Sequence, residues 1–255
     1  MKHPLKYKFD LDLDSLASET FMKGLFNSVP PIRRAPMPSW PLSLLLRYLK
    51  EGPFEPLEEV SWEFLTQKTL ALFLLASGRR ISEISNISRS FRRLGDEISL
   101  LWIPGFKAKY ASRKFSPEHP SIRPLDSSVD SELLLCPVRA WWIFLGRRPS
   151  VTNSKDDRCF WSISQGSLPH LFVKLIRKAL QFAGRPAKIS VGPHQMRKLA
   201  ASYSRNFLGG SAEKDSVLMK RMGCSSLSIL QKVYFNDVPL VDFPCVVPLG
   251  TVPVS

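Results

Sequence analysis

Hydrophobic residues recur at helical spacing just after the first forty residues. Leu42, Leu45, Leu46 and Leu49 fall on one face of a helix, and Pro41 occupies its first turn. A stretch rich in glycine and proline then interrupts the pattern. This spacing predicts one amphipathic helix that packs a leucine face into a core.

The next apolar run is longer and predicts a second helix. Ser61 is suited to cap its start, and apolar residues continue up to Gly78. A third, short helix is expected to carry Ile81, Ile84 and Ile87.

The middle of the chain changes from helical to strand-like spacing. Residues 97–103 and 121–125 are short, apolar segments that could pair across a basic connection. Pro137 then begins a helix over residues 138–147, with Trp141, Trp142 and Leu145 as expected core residues.

The last third is predicted to be helical over residues 171–183, 193–207, 213–222 and 227–235. We therefore predict a mainly α fold with a small antiparallel sheet (α+β). The expected organisation is an N-terminal arm and linker (1–39) with a short helix near 18–26, one main folded domain (40–235), and a proline-rich C-terminal tail (236–255).

The charge of the chain favours a polyanionic partner. Its 36 Lys and Arg outnumber 22 Asp and Glu, which gives a net charge of +14 and a pI near 9.9. Residues 158–212 contain nine basic residues and no acidic one. Because a solvated surface normally mixes both signs, we expect this stretch to face nucleic-acid phosphates.

The remaining composition narrows the class of protein. The four cysteines are scattered, without the spacing of a disulfide framework or a zinc site, so no metal or other cofactor is expected. The first residues lack the apolar core of a signal peptide, and no apolar run approaches the roughly 20 residues of a membrane span. We expect an intracellular protein with no membrane contact.

Three short motifs carry candidate chemistry. The first is Gly78-Arg79-Arg80-Ile81-Ser82-Glu83-Ile84, in which Arg80 begins a helix and Glu83 can pair with it. A routine surface ion pair is the simpler interpretation when this motif is taken alone.

The second motif places His194 and Arg197 three residues apart on the first turn of a predicted helix, where both can reach one phosphate. The third runs from Gly223 and Cys224 to Tyr234. Tyr203 is a rival hydroxyl, but it lies on the same predicted helix as Arg197 and close to it.

Taken in order, the Arg80, His194, Arg197 and Tyr234 series resembles the catalytic set of the tyrosine recombinases (the phage-integrase family). Three further strings are similar to the branch of this family found in DIRS-like retrotransposons. They are Pro53-Phe54-Glu55-Pro56-Leu57, Leu135-Cys136-Pro137-Val138-Arg139-Ala140 and Lys198-Leu199-Ala200-Ala201-Ser202. The resemblance covers residues 39–250 and implies the recombinase catalytic-domain fold.

The resemblance implies cleavage and rejoining of duplex DNA through a 3′-phosphotyrosyl link to Tyr234. Arg80, Arg197 and His194 would neutralise the phosphate, and a lysine would protonate the leaving oxygen. Lys109 is preferred for this role over Lys107. No metal or ATP would be needed. A homotetramer on paired DNA sites and a nuclear location are also implied.

Two departures from the family leave alternatives open. Cys224 stands where the family has Trp or His, and a thiol is a weak donor to phosphate. Residues 1–39 are too few for the family's N-terminal DNA clamp. A truncated or domesticated recombinase that binds DNA without catalysis is the alternative, and type IB topoisomerase activity is a third.

Overall fold

A computed structural model describes residues 20–21, 24, 40–108, 118–125, 130–148, 157–160, 163, 166–185, 191–192, 194–209, 211–224 and 226–234. The chain divides into two compact units, Met1–Ala35 and Pro36–Ser255. In the first unit the described residues Thr20, Phe21 and Gly24 are helical. The predicted tail (236–255) lies outside the described residues.

Helices make up most of the described part of the second unit. They are α1 (Leu42–Glu51), α2 (Trp62–Ser77), α3 (Ile81–Ile84), α4 (Asp130–Leu133), α5 (Pro137–Arg147), α6 (Leu168–Phe182), α7 (Gln195–Leu208), α8 (Ala212–Met222) and α9 (Leu227–Ile229), followed by a π-helical turn (Leu230–Tyr234). None of the helices in the described ranges is long and apolar enough to cross a membrane.

The central helix is α2, and its ends are set by local chemistry. The Ser61 hydroxyl accepts a hydrogen bond from the Phe64 N–H at 3.3 Å, as the sequence predicts. Gly78 ends the helix in the left-handed conformation, with φ of 59°. The helix is buried on all sides from Leu65 to Ser77 and packs against α5 and α7.

The sheet has three antiparallel strands, β1 (Ile87–Leu94), β2 (Glu97–Trp102) and β3 (Ser121–Ile122), in that order. The predicted pairing of the two middle segments is confirmed by Ile98 opposite Ile122. The prediction that Ile87 ends the third helix is wrong, because Ile87 begins β1. The outer half of β1 is exposed on both faces, so its sequence lacks the alternation that marks a half-buried strand.

Helix α5 follows the predicted start and corrects one predicted core residue. Pro137 is its first residue, and the Cys136 sulfur accepts a hydrogen bond from the Arg139 N–H at 3.4 Å. Trp141 is fully buried, as expected. Trp142 was expected in the core but is 44% exposed, because it lies on the outer side of the helix against Phe91 of β1.

A polar cluster joins α1, α2 and α5. Glu55 accepts two hydrogen bonds from Arg139, at 2.9 and 3.1 Å, and also pairs with Lys68. Lys68 is fully buried and donates to the Leu49 carbonyl at 2.7 Å. Burial lowers the pKa of Lys68 to about 8, although Glu55 opposes the shift. The mainly α fold with a small antiparallel sheet is thus confirmed, and this cluster fastens its first three long helices together.

Candidate active site

The turn after Gly78 sends two adjacent arginines in different directions. The backbone of Arg80 is extended, with φ of −75° and ψ of 151°, and extended backbone alternates the direction of successive side chains. Arg80 pairs with Glu83 at 2.7 Å, and its backbone N–H donates to the same carboxylate at 3.3 Å. The predicted Arg80–Glu83 ion pair is therefore present.

Arg79 is the more deeply buried of the two arginines. Its side chain donates to the carbonyls of Glu118 and, at 3.5 Å, of Lys220. Its Nη1 lies 3.9 Å from the carboxylate of Glu83. Burial lowers the pKa of Arg79 to about 10; Glu83 opposes the shift, and the positive charge of Arg197 adds to it. The motif that points to Arg80 predicts no catalytic role for Arg79.

Arg197 lies on the first turn of α7 and reaches the C-terminal end of α8. Its Nη2 donates to the Met222 carbonyl at 2.9 Å and to the Cys224 sulfur at 3.3 Å. The last carbonyls of a helix lack partners within the helix and carry its partial negative charge, so they favour a cation. Its Nε and Nη1 atoms have no hydrogen-bond partner among the described residues.

Cys224 is buried in a small cluster beside Arg197. The cluster packs apolar side chains of α7, α8 and the final helical turns, among them Ala201, Leu218, Met222 and Leu230. Because Cys224 is 0% exposed and its sulfur accepts from Arg197, its described contact is with the arginine. The sequence alone predicts that this side chain faces a phosphate.

Tyr234 completes the cluster. The Arg197 guanidinium carbon lies 4.8 Å from the centre of the Tyr234 ring, which is a cation–π distance. The Tyr234 carbonyl accepts from the Ser202 hydroxyl at 2.9 Å, which fixes the π-helical turn against α7. Tyr203, the rival nucleophile, is half-buried and packs against the main core instead.

His194 is the N-cap residue of α7, one turn before Arg197, and it is exposed. The neighbouring Gln195 is buried and accepts from the Trp40 indole N–H at 2.9 Å and from the Gly192 N–H at 3.1 Å. The motifs in the sequence assign no role to Gln195 or Trp40.

Of the two candidate lysines, Lys107 is exposed in the connection after β2. Lys109 lies outside the described residues. Across the described ranges, no group of three His, Cys, Asp or Glu residues is arranged to hold a metal ion.

The geometry therefore brings together Arg197, Cys224 and Tyr234, with Arg79 close enough to Arg197 to affect its own ionisation. Arg80 connects to this group through Glu83, which approaches both adjacent arginines. A buried guanidinium beside a tyrosine, as at Arg197 and Tyr234, is suited to an anionic ligand such as a phosphate group.

Comparison with known proteins gives likenesses of structure only. The sequence matches no protein-family model and no curated protein. One similar structure is the XerH site-specific recombinase bound to difH substrate in a pre-cleavage complex, with 15% identity, 86% of this chain and 62% of that chain covered, and a TM-score of 0.49. The chain thus spans less than two thirds of that protein.

Two further structures are similar. XerA recombinase shows 20% identity and a TM-score of 0.48, with 87% of this chain and 69% of that chain covered. The post-cleavage complex of XerH with palindromic difH shows 16% identity and a TM-score of 0.47, with 75% and 46% covered.

Proposed function

We propose that this chain is a tyrosine recombinase catalytic domain that cleaves and rejoins duplex DNA through Tyr234. The observation that carries the proposal is the contact between Arg197 and Tyr234, which come from separate motifs of the predicted catalytic series. Arg197 supplies a guanidinium and Tyr234 a hydroxyl. A phosphodiester attacked in line by a hydroxyl requires both a nucleophile and positive charge at its oxygens.

The buried guanidinium of Arg197 supports this role through its hydrogen bonding. Its Nε and Nη1 atoms have no hydrogen-bond partner among the described residues. Buried donors without a partner are costly, so an anionic oxygen that reaches them is strongly favoured. A phosphate oxygen that reaches Nε and Nη1 of Arg197 would gain this stabilisation.

The reaction is balanced without an added reactant. The Tyr234 oxygen forms a bond to phosphorus as the bond to the 5′-oxygen breaks, and the phenolic proton is lost to a base. Lys109, or alternatively Lys107, donates a proton to the departing 5′-oxygen. Arg80, Arg197 and His194 stabilise the charge on the non-bridging oxygens. The phosphotyrosyl link conserves the bond energy, so the reverse reaction rejoins the strand without ATP.

The setting of this activity is part of the proposal. The net charge of +14 supports a DNA partner. The resemblance of three strings to DIRS-like retrotransposons supports recombination or integration of a mobile element, in the nucleus, by a homotetramer on paired sites.

The test uses a nicked suicide duplex, which traps a covalent adduct. The full chain should form a denaturant-resistant protein–DNA adduct, and it should do so in excess chelator because arginines supply the positive charge. Tyr234→Phe should abolish the adduct and leave DNA binding intact, whereas Tyr203→Phe should retain it. An adduct that persists in the Tyr234→Phe protein would remove this tyrosine from the nucleophile role.

A DNA-binding protein that no longer catalyses is the second candidate. The burial of Cys224 favours this candidate. A buried thiol whose sulfur accepts a hydrogen bond from Arg197 offers the phosphate no donor. Tight binding of duplexes by a protein that yields no adduct with any nicked substrate would support this candidate.

A further inference from the structure

We propose that the hydrogen bond between Trp40 and Gln195 positions His194 for its contact with the phosphate. The inference rests on the proposed function, which gives His194 that contact. Trp40 lies just before α1, and Gln195 is separated from it by 155 residues. The bond is buried, and Trp40 and Gln195 are only 2% and 8% exposed.

The Gln195 side chain closes the turn that holds His194. Its Oε1 atom accepts from Trp40 Nε1 at 2.9 Å and from the Gly192 N–H at 3.1 Å. The Gln195 N–H donates back to the Gly192 carbonyl at 3.1 Å. Both groups that meet Oε1 are donors only, so this atom is the oxygen of the amide. The backbone on both sides of His194 is thereby held.

Trp40 fixes the other end of this arrangement. Its indole belongs to the main core, and its only polar atom is used by Gln195. His194 itself is exposed and begins α7, so the backbone of this turn sets the point from which its side chain extends. Trp40 and Gln195 are therefore positioning residues that act through the turn. A small misplacement of a catalytic group is enough to slow a reaction.

The test begins with the position of His194 and does not require catalysis. Trp40→Phe removes the donor and keeps an aromatic ring. Trp141→Phe is the matched control, because Trp141 is also fully buried but its Nε1 has no hydrogen-bond partner among the described residues. Imidazole ring-proton NMR of the full chain, assigned with His194→Gln, should show a changed His194 chemical shift in Trp40→Phe only. The signal of His170, exposed on α6, should stay constant in both variants.

Gln195→Met removes the same bond from its other end and should change the His194 signal in the same way, which covers the case of a poorly folded Trp40 variant. Equal changes of the His194 signal in Trp40→Phe and Trp141→Phe would overturn the inference. So would an unchanged His194 signal in both Trp40→Phe and Gln195→Met.

Adduct formation at saturating nicked DNA provides the functional readout. Trp40→Phe should slow it about five- to tenfold, the worth of one net hydrogen bond, without a change in DNA affinity. In a His194→Ala background the same substitution should have no further effect, because it acts through His194. An unchanged slowing in that background would overturn the inference. If no protein forms an adduct while the His194 signal still responds to Trp40→Phe, the proposed function fails and the positioning of His194 is supported.

Discussion

The Tyr234 ring lies over the guanidinium of Arg197, 4.8 Å from ring centre to guanidinium carbon. The same guanidinium donates to the Met222 carbonyl at 2.9 Å. Arg197 thus joins the end of α8 to the turn that carries the proposed nucleophile. The contact with the Tyr234 ring and the hydrogen bond to Met222 both use the planar, forked guanidinium of an arginine, which a lysine does not reproduce.

We predict that Arg197→Lys slows adduct formation about 100- to 1,000-fold, because one ammonium group cannot replace the guanidinium donors at the developing charge. Quenched time courses on nicked duplexes measure this rate. Arg205→Lys is the matched control on the same helix, since Arg205 is half-exposed and pairs with Asp215 at 3.6 Å. Equal rates in the two variants would show that Arg197 does not act on the phosphate.

We predict that Arg80 acts on the phosphate and that its neighbour Arg79 stabilises the fold. Arg80→Lys keeps a charge beside Glu83 but loses the fork, so adduct formation should fall about 100-fold with little change in unfolding free energy. Arg79→Lys loses a bond to the carbonyl of Glu118 or Lys220 and should cost about 1–3 kcal/mol of stability. Chemical denaturation and cleavage rates measure the two effects. The reverse pattern would assign the phosphate contact to Arg79.

Burial of Cys224 changes what its substitution is expected to do. A tryptophan in this closed cluster would be overpacked, so Cys224→Trp should lower the unfolding free energy by about 1–3 kcal/mol and not accelerate cleavage. Cys224→Ser keeps an acceptor for Arg197 and should retain the wild-type rate. Denaturation and adduct assays on both proteins test this. A faster and equally stable Cys224→Trp protein would instead place residue 224 against the phosphate, as the sequence alone predicts.

The buried Lys68 should give stability a distinct pH dependence. Its folded pKa of about 8 lies below the ordinary value of 10.5, so the folded protein loses this proton before the unfolded chain does. The contribution of Lys68 to stability should therefore rise with pH between these values, by at most about 1.4 kcal/mol per pH unit, and be lost as pH falls through 8.

Comparison with Lys68→Met isolates this contribution from other titrating groups. The unfolding free energy of the wild type, minus that of the variant, should increase from pH 8 to pH 10. A difference that stays flat across this range would show that Lys68 ionises normally in the folded protein.

The predictable parts of this chain are those with local causes. The leucine face of α1 and the Ser61 cap of α2 follow from spacing and side-chain chemistry within a few residues. The exposed half of β1 has no such pattern. Trp142 is a tryptophan next to the buried Trp141 in the same helix, so residue type alone predicts the same burial for both. These two errors arise because exposure there is decided by which neighbouring element covers a side chain.

The candidate site shows the same division. The motif residues Arg197 and Tyr234 could be named from their order in the sequence, although their contact depends on the packing of the π-helical turn against α7. Arg79 and Gln195 could not be named from the sequence, because the partners of each lie far away along the chain. The Arg79 partners include Glu118 and Lys220, and the Gln195 partner is Trp40.

The end of α8 has a consequence for how activity would be controlled. Met222 anchors the guanidinium of Arg197, and the chain leaves the same helix end through Gly223, in the left-handed conformation, toward Tyr234. The proposed charge-neutralising arginine and the proposed nucleophile are therefore both connected to this one helix end. Cys224 and Tyr234 lie beyond Gly223 and contact Arg197, whereas Met222 lies before it. A second protomer that pulled on the chain beyond Gly223 would therefore withdraw the tyrosine and the thiol from Arg197 in one movement, while the guanidinium stayed anchored to the helix end.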